Sequence, residues 1–171
     1  NKILGHNTDI AGFELGLRHI NFDAKNKKVL ILGAGGVVPS IILGLEKLGT
    51  PEITLTNRTQ ENVESLKKTF KNIKSIKWGE TIDFDVIINA TSIGLKNDEN
   101  FIIDYSDGKS GKFFYDVIYN PRKTKFLEKA EKKGNKIENG KMMFIYQAHQ
   151  SFTLWHNIMP KIDKETIELL D

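Results

Sequence analysis

Cysteine is absent from the sequence, and its absence removes several kinds of chemistry at once. Without thiols the chain forms no disulfide, has no thiolate nucleophile and holds no zinc ion through cysteine sulfur. A chain without disulfides is consistent with a reducing compartment, so we expect a cytoplasmic protein. Long apolar runs are absent too: none approaches the roughly 20 residues of a transmembrane helix, and we expect no membrane partner.

The chain also lacks a strong charge of one sign. Lysine and arginine number 25 against 22 acidic residues, so the net charge of +3 is small for 171 residues. The lysines lie between acids on predicted helices, which is typical of solvated helix faces, and we expect no nucleic-acid partner. A hydrophobic content of 39% is sufficient for one domain with its own core. We expect a monomer or a homodimer.

The first residue is Asn1 rather than methionine, which indicates a piece of a longer protein. Residues 1–22 are predicted to form a connector helix that follows the preceding part of that protein, with Thr8 or Asp9 as its N-terminal cap. One face of this helix carries apolar side chains at helical spacing: Ile10, Phe13, Leu17 and Ile20.

Short apolar segments alternate with amphipathic segments along the rest of the chain. The predicted strands are, in order, KKVLILGAG, EITLT, KSIKW, FDVIINAT, GKFFYDVIY and NKIE. Helical spacing predicts helices over PSIILGLEKLG, TQENVESLKKTF, RKTKFLEKAEKKG, MMFIYQAHQSFTLWHNIM and DKETIELLD. Thr59 is predicted to cap the second of these helices and Pro160 to stop the fourth. The alternation predicts an α/β fold, a Rossmann-like, doubly wound parallel sheet of about six strands with helices on both faces.

The segment LGAGGVVPS stands between the first predicted strand and its helix. Glycines there permit a tight turn and let the backbone N–H groups of the helix N-terminus approach a pyrophosphate. The spacing is not a full GxGxxG, because Val38 or Ser40 fills the third place, so a tight turn without a ligand is the alternative. No Lys-Ser/Thr pair follows, which argues against a Walker phosphate loop. The predicted cofactor residues of this turn are Gly33, Ala34, Gly35, Gly36 and Val37.

The residues after the second predicted strand indicate which dinucleotide binds. Folds that bind NAD place a carboxylate there, about 20 residues after the first glycine, to bind the ribose 2′-hydroxyl. Asn57, Arg58 and Thr59 stand there instead, and Asn57 lies 24 positions after Gly33. A guanidinium, an amide, a hydroxyl and a helix N-terminus suit a dianionic phosphate, so we expect NADP. A surface arginine beside a simple helix cap is the alternative.

Six separated motifs resemble the cofactor-binding half of the shikimate dehydrogenases: NTDIAGF, ILGAGGV, TNRT, INATSIG, YDVIYNP and NGKMMFIYQA. The resemblance runs through nearly the whole chain. It implies reversible, NADPH-dependent reduction of 3-dehydroshikimate to shikimate, a small-molecule substrate of chorismate and aromatic amino-acid biosynthesis. It also implies that residues 23–140 form the NADP-binding domain, and that residues 141–171 are helices that pack back toward an absent N-terminal substrate domain.

The same resemblance assigns roles to individual residues. In the family a Lys–Asp pair serves the reacting hydroxyl; the Asp of the NTD motif corresponds to Asp9, and the lysine belongs to the absent domain. The chain alone is therefore expected to be inactive, and a plain helix cap is the alternative role for Asp9. Tyr119 and Gln147 match positions that line the substrate pocket. The matches to positions along the cofactor are Thr91, Val117, Gly140 and Met143.

Some residues depart from the family pattern or suggest other chemistry. Gln60, Glu61 and Asn62 stand where the family usually has a second basic residue, which weakens the preference for NADP. A quinate/shikimate enzyme that prefers NAD is therefore one alternative, and a nucleotide-binding module without turnover is another. His149 and His156 share a helix face but have no third ligand at metal spacing, so no metal is predicted. Both tryptophans, Trp78 and Trp155, are interpreted as core or helix-packing residues.

Overall fold

The structure, a computed structural model, describes residues 2–96 and 99–170. Its strands are, in chain order, β1 Lys28–Leu32, β2 Glu52–Thr56, β3 Ile73–Ser75, β4 Val86–Asn89, β5 Phe113–Asp116 and β6 Lys136–Glu138. Its helices are α1 Asp9–His19, α2 Val38–Lys47, α3 Gln60–Thr69, α4 Lys125–Lys132, α5 Lys141–His156 and α6 Lys164–Glu168. The strands form one sheet in the order β3-β2-β1-β4-β5-β6, with neighbouring strands parallel. This is the order of a Rossmann sheet, so the predicted fold class is confirmed.

The sheet packs against a separate apolar core on each face. Alternate residues of a strand point to opposite faces, so β1 sends Val29 and Ile31 to one core and Leu30 and Leu32 to the other. Helices α1, α2, α3 and α5 contribute side chains to the first core, whereas α4 contributes to the second. The sheet is therefore covered by helices on both faces. Burial on both sides explains why β1 is an almost continuous apolar run in the sequence.

Glycines allow α1 to lie close against its two neighbouring helices. A Cβ atom on Gly12 would lie 2.7 Å from the Met143 carbonyl oxygen of α5, and one on Gly16 would lie 3.1 Å from the Met143 backbone nitrogen. A Cβ atom on Gly44 of α2 would lie 2.8 Å from Cδ1 of Phe13. These close approaches fix α1, and with it the NTD motif, on the first face of the sheet.

The N-terminal cap of α1 agrees only in part with the prediction. Asn7 caps the first turn, because its Oδ1 accepts hydrogen bonds from the backbone N–H groups of Asp9 (3.0 Å) and Ile10 (3.3 Å). Thr8 occupies the N-cap position, but its side chain forms no capping bond. Thr8 is therefore the N-cap residue, as predicted, but the capping hydrogen bonds come from Asn7 and not from Thr8 or the Asp9 carboxylate.

Two other predicted element ends also differ. β3 comprises Ile73–Ser75 rather than the segment KSIKW, so Trp78 lies beyond the strand. The longest described helix, α5, ends at His156 because Asn157 adopts the left-handed conformation with φ of 52°, before Pro160 is reached. Neither α5 nor any other helix within the described ranges has both the length and the apolar character needed to cross a membrane.

Candidate functional site

The carboxyl ends of four strands, β1, β2, β4 and β5, open into three adjoining cavities. The Arg58 cavity, about 510 Å³, lies against the glycine turn and the end of β2. The Asp9 cavity, about 240 Å³, lies between α1, α5 and the end of β5, and a middle cavity of about 410 Å³ adjoins both. The middle cavity shares Ala90 and Thr91 with the Arg58 cavity, and Val37, Val117 and Tyr119 with the Asp9 cavity. One continuous cleft therefore crosses the point where the strand order reverses, the usual ligand position in such sheets.

With the exception of Gly36, the structure brings the residues predicted from sequence to this cleft. One group of them lines the Arg58 cavity: Gly33, Ala34, Gly35, Asn57, Arg58, Thr59 and Thr91. A second group lines the Asp9 cavity: Asp9, Val37, Val117, Tyr119, Gly140, Met143 and Gln147. Gly36 lies in the same turn as Gly35 and is exposed. The sequence separation between these residues is large, and only the parallel sheet brings them together.

The glycines of the turn after β1 serve two different purposes. Gly33 has φ of +114°, and a Cβ atom there would lie 2.7 Å from the Ala90 carbonyl oxygen, so the fold itself requires glycine. A Cβ atom on Gly35 or Gly36 would meet nothing within 4 Å, and neither residue has a positive φ. The chain therefore gives no internal reason for glycine at these two positions. Without side chains at these positions, a pyrophosphate can approach the backbone N–H groups at the N-terminus of α2.

Three polar residues, Asn57, Arg58 and Thr59, follow the end of β2. The Asn57 side-chain amide donates a hydrogen bond to the Thr59 carbonyl oxygen at 2.7 Å and so holds the turn that carries Arg58. Arg58 is exposed, and no carboxylate among the described residues pairs with its guanidinium. Thr59 occupies the N-cap position of α3, as predicted, but its hydroxyl forms no capping bond. A cation, a hydroxyl and uncapped helix N–H groups thus face one cavity, which suits an anion.

Thr91 holds the shape of the loop that follows β4. Its hydroxyl donates a hydrogen bond to Oδ1 of Asn89 at 2.7 Å and accepts one from the Ile93 backbone N–H at 3.0 Å. The Thr91 backbone N–H donates to the same Asn89 oxygen at 3.0 Å. The threonine hydroxyl is therefore already engaged in fixing the loop along the cleft, and any bond that it makes to a ligand is additional.

Asp116, at the end of β5, joins this loop to the next one. Its Oδ1 accepts hydrogen bonds from the Asn89 side-chain amide and the Ile118 backbone N–H, both at 3.0 Å. Its Oδ2 accepts a hydrogen bond from the Thr124 hydroxyl at 2.6 Å. Burial raises the pKa of Asp116 to about 6, although the three donors oppose the rise. This role of Asp116 is not evident from the sequence, where its only signal is an acid at the end of an apolar strand.

Asp9 lines the cavity between α1, α5 and the end of β5. Asp9 is the first residue of α1 and is half-buried. Within the described residues no basic group or hydrogen-bond donor pairs with its side chain. Asn7 supplies the helix cap, and its side-chain amide donates a hydrogen bond to the Ser40 hydroxyl at 3.0 Å, which ties the NTD motif to α2. Ser40, noted as a departure from the glycine pattern, thus has a structural partner.

Contacts between α1 and α5 place Gln147 beside Asp9. The Thr8 hydroxyl donates a hydrogen bond to Oε1 of Gln147 at 3.5 Å. The Ser151 hydroxyl lies 3.1 Å from the Thr8 hydroxyl and 3.0 Å from the Gln147 carbonyl oxygen. Since Oε1 faces Thr8, the amide nitrogen of Gln147 is the end that can donate to a ligand in the cavity.

The opposite wall of the Asp9 cavity is built by the loop after β5 and the start of α5. The Tyr119 ring stacks on Phe144, with ring centroids 4.6 Å apart and planes 23° from parallel. A Cβ atom on Gly140 would lie 1.9 Å from the Val117 carbonyl oxygen, so only glycine allows α5 to begin there. Phe144 also lines the cavity and was missed in the sequence, where it belongs to a generally apolar helix segment.

The histidines and tryptophans have other surroundings. Nε2 of His149 lies 2.8 Å from the Pro160 carbonyl oxygen, and the His156 ring lies against Phe152. Among residues 2–96 and 99–170, no three histidine or acidic side chains are grouped as metal ligands would be. Trp155 is 78% exposed, so its interpretation as a packing residue is wrong. Trp78 is half-buried and lines the Arg58 cavity, which the sequence analysis did not predict.

The strand order, the glycine turn and the basic residue at the end of β2 define a nucleotide-binding domain of the Rossmann class. The chain belongs to the shikimate / quinate 5-dehydrogenase family, whose model matches residues 14–125. The resemblance drawn from the six sequence motifs is therefore confirmed.

Individual relatives are similar over almost the entire chain. A curated relative, the shikimate dehydrogenase (NADP(+)) of Pelagibacter ubique strain HTCC1062, is 58% identical over 171 residues, which cover 100% of this chain and 64% of the relative. The crystal structure of shikimate dehydrogenase from Aquifex aeolicus has a TM-score of 0.85 at 32% identity, covering 97% of this chain and 61% of that one. A Thermus thermophilus shikimate 5-dehydrogenase in complex with NADP(H) and shikimate has a TM-score of 0.82 at 27% identity, with 97% and 62% coverage. The chain thus spans less than two thirds of the length of these relatives.

Proposed function

We propose that this chain is the cofactor-binding part of an NADP-dependent shikimate dehydrogenase, which reversibly reduces 3-dehydroshikimate to shikimate. The observation that carries the proposal is the single cleft that joins Arg58, which has no acidic partner among residues 2–96 and 99–170, to Asp9, whose carboxylate does not cap its helix. One end of this cleft suits an anion, and the other offers an acid–base group to a small substrate. The relatives named as NADP-dependent shikimate dehydrogenases support the same function.

The residues present fit NADP along the cleft. The open backbone at Gly35 and Gly36 would hold the pyrophosphate at the N-terminus of α2. Arg58 and the Thr59 hydroxyl would bind the 2′-phosphate through charge-assisted hydrogen bonds. The nicotinamide would lie against the surface shared by the middle and Asp9 cavities, formed by Val37, Val117, Gly140 and Met143. When bound, NADPH supplies the hydride for reduction of the substrate carbonyl.

Asp9 acts at the reacting hydroxyl in this proposal. Its carboxylate accepts a hydrogen bond from the substrate hydroxyl and holds the ammonium of a lysine supplied by the preceding part of the polypeptide. That ammonium is needed to deliver a proton to the carbonyl oxygen during reduction. Because the 171-residue chain supplies only the aspartate, we expect it to bind the cofactor and to lack dehydrogenase activity by itself.

Tyr119 and Gln147 orient the substrate in this proposal. Both residues line the Asp9 cavity, and both offer neutral hydrogen-bonding groups. Such groups can hold the hydroxyl and carboxylate groups of a polyol acid without competing for the transferred proton. The Phe144 ring supports Tyr119 from behind, because their stacked contact restricts the tyrosine side chain.

The preceding part of the polypeptide is proposed to pack on the C-terminal helices. Residues 1–22 would be the connector, residues 23–140 the NADP-binding domain, and residues 141–171 the helices that contact the substrate domain. Support comes from large apolar side chains exposed on and after the second half of α5: Phe152, Leu154, Trp155, Ile158 and Met159. An exposed apolar surface of this kind is typical of a face that another part of the protein covers.

A dehydrogenase of the same family that prefers NAD is the second candidate. Asn62 lines the Arg58 cavity, so a neutral side chain occupies the place of a possible second cation. A single guanidinium binds a phosphate less strongly than two cations do. A nucleotide-binding module without turnover is less well supported, since it gives no reason for a carboxylate at Asp9 that pairs with none of the described residues and lines the end of the cleft.

The deciding experiment is shikimate-dependent reduction of NADP⁺ and NAD⁺ by the polypeptide at its natural length. We expect Arg58→Ala to raise KM for NADP⁺ by about 10- to 100-fold, the equivalent of ~1.5–3 kcal/mol for hydrogen bonds to a charged group. The KM for NAD⁺ should be unchanged, because NAD⁺ has no 2′-phosphate. Arg18→Ala is the matched control, since Arg18 pairs with Glu14 on the exposed surface of α1.

The same assay separates the candidates. If Arg58→Ala raised KM for NADP⁺ and for NAD⁺ by the same factor, the assignment of Arg58 to the 2′-phosphate would be overturned. A wild-type preference for NAD⁺ would favour the second candidate. If shikimate supports no reduction of either cofactor, the proposed activity is wrong.

A further inference from the structure

Trp78, Ile93 and Ile102 are large apolar side chains that line the Arg58 cavity, and phosphate binding does not explain them. Phosphates and ribose are polar, and the other lining groups around Arg58, such as Asn57 and Thr59, are suited to them. Ile102 nevertheless presents an 86% exposed aliphatic side chain to this cavity. An aromatic ring and an exposed aliphatic group beside a cation suit a ligand with both a flat apolar part and an anionic part.

The backbone of Trp78 is fixed by hydrogen bonds to the sheet and within its own turn. The Ile76 backbone N–H donates to the Leu55 carbonyl oxygen at 3.0 Å, so pairing with β2 continues past the end of β3. The Thr56 hydroxyl donates to the Lys77 carbonyl oxygen at 3.0 Å, and the Glu80 backbone N–H donates to the same oxygen at 3.1 Å. The turn that carries the tryptophan is therefore anchored on β2, the strand that leads to Arg58.

The indole ring is also held from one side. It packs on Phe101, with ring centroids 6.0 Å apart and planes at 48°. Phe101 in turn contacts Tyr105 and Phe126, whose rings belong to the second core. Since the ring is supported by the core and only half-buried, part of its surface remains available to the cavity without a large entropy cost on binding.

We infer that Trp78 is the residue on which the adenine ring of the cofactor stacks, and that Ile102 contacts the same base. The inference rests on the proposed binding of NADP. The 2′-phosphate and the adenine are attached to one ribose, so a phosphate at Arg58 places the base within the same cavity of about 510 Å³. A purine presents two flat faces, and an aromatic side chain can stack on either of them.

Trp78 and Arg58 would recognise different parts of the cofactor. Adenine is common to NADP and NAD, whereas the 2′-phosphate belongs to NADP alone. Trp78 should therefore contribute equally to the affinity for both cofactors, and Arg58 only to the affinity for NADP. A cofactor fragment without adenine, such as nicotinamide mononucleotide, should be insensitive to Trp78.

The test uses the polypeptide at its natural length, labelled with 5-fluorotryptophan. The fluorine resonance of Trp78 is assigned by its loss in Trp78→Phe, and that of Trp155 serves as an internal reference outside the cavity. Adenosine 2′,5′-bisphosphate should shift the Trp78 resonance and leave that of Trp155 in place. Nicotinamide mononucleotide should shift neither resonance.

Affinities provide the second measurement. By calorimetry, Trp78→Ala should weaken NADPH and NADH binding by the same factor, about 5- to 30-fold, as expected for the loss of base–aromatic stacking. Trp78→Phe keeps an aromatic ring and should weaken the binding of NADPH and of NADH by about 2- to 3-fold. This variant keeps the test valid if Trp78→Ala does not fold. Trp155→Phe is the control and should bind both cofactors normally.

The possible outcomes are distinct. If adenosine 2′,5′-bisphosphate binds without moving the Trp78 resonance, the inference is overturned while the proposed cofactor site stands. If Trp78→Ala lowers the affinity for NADPH and the affinity for NADH by different factors, the inference is also overturned, because the effect would then involve the 2′-phosphate. If the wild-type protein binds neither NADPH nor NADH, the proposed function itself fails.

Discussion

Asp116 is a buried carboxyl group whose protonation should affect the stability of the protein. Burial raises its pKa to about 6, whereas an unfolded aspartate titrates near 3.9. The folded state therefore binds the proton more tightly than the unfolded state does. The stabilising contribution of Asp116 is fully present below the pKa of the unfolded state, and it is lost as the pH rises through the folded pKa of about 6.

We predict that the free energy of unfolding contributed by this group falls between about pH 4 and pH 7, by up to ~3 kcal/mol. Asp116→Asn should remove this dependence, because its side chain does not titrate and can keep the acceptor for Asn89 and Ile118. Urea unfolding across this pH range measures the effect. Asp107→Asn, at an exposed position, is the control and should retain the wild-type profile. An identical pH profile in Asp116→Asn and the wild type would contradict the prediction.

The residues proposed to carry chemistry have clearer signals in the sequence than the residues that hold the loops around them. Gly33, Arg58 and Asp9 stand in motifs whose residue types have a direct chemical meaning. Asp116 and Asn89 have no such signal, since their importance comes from a contact between residues 27 positions apart in sequence. That contact exists only because β4 and β5 are neighbours in the sheet and their carboxyl ends meet.

At the scale of elements, the contact between α1 and α5 controls the geometry of the Asp9 cavity. α1 carries Asp9 and α5 carries Gln147, and the two helices approach at Gly12 and Gly16. No side chain at Gly12 can be accommodated in place, because a Cβ atom would lie 2.7 Å from a backbone carbonyl oxygen. The space at Gly16 is slightly larger, since its nearest backbone contact would be 3.1 Å.

We predict that Gly12→Ala destabilises the protein by about 1–2 kcal/mol, because overpacking outweighs the better helix propensity of alanine. Gly16→Ala should have a smaller effect. Gly5→Ala serves as the control, because a Cβ atom there would meet nothing within 4 Å. Chemical unfolding of the three variants gives the order of their free energies of unfolding. If Gly12→Ala were more stable than the wild type, α1 and α5 could move apart without an energetic cost, and the prediction would be wrong.

The element types followed from the sequence, but several of their ends did not. Both β1 and β4 are short apolar runs buried on both faces, and this pattern has few alternatives. The end of α5 was placed too late, because Pro160 prevents a helix from continuing but does not require it to reach that point. Asn157 ends the helix earlier through its left-handed backbone, a conformation that asparagine tolerates well.

At the scale of the whole molecule, stability should decrease from the centre of the sheet to its edges. β1 and β4 are each paired on both sides and contribute to both cores, whereas β3 and β6 are edge strands of three residues. Few buried contacts hold α6, none of whose residues is buried. Local opening needs least free energy where burial and pairing are smallest.

We predict that amide hydrogen exchange, measured by mass spectrometry, is slowest in peptides that contain residues 28–32 and 86–89. Exchange should be faster in residues 73–75 and 136–138 and fastest in residues 164–168. Addition of NADPH should slow exchange in the turn at residues 33–37 as well. Uniform exchange across the sheet would contradict this ranking.

The two ends of the cleft depend on different parts of the polypeptide. Arg58 and Trp78 follow β2 and β3, whereas Asp9, Tyr119 and Gln147 belong to α1, the loop after β5, and α5. Substitutions at the first end can therefore accumulate without disturbing the second. In the proposed dehydrogenase, an evolving lineage or an engineer could exchange one redox carrier for another by altering a few positions near the sheet's edge, and the chemistry proposed for the organic acid would be unchanged.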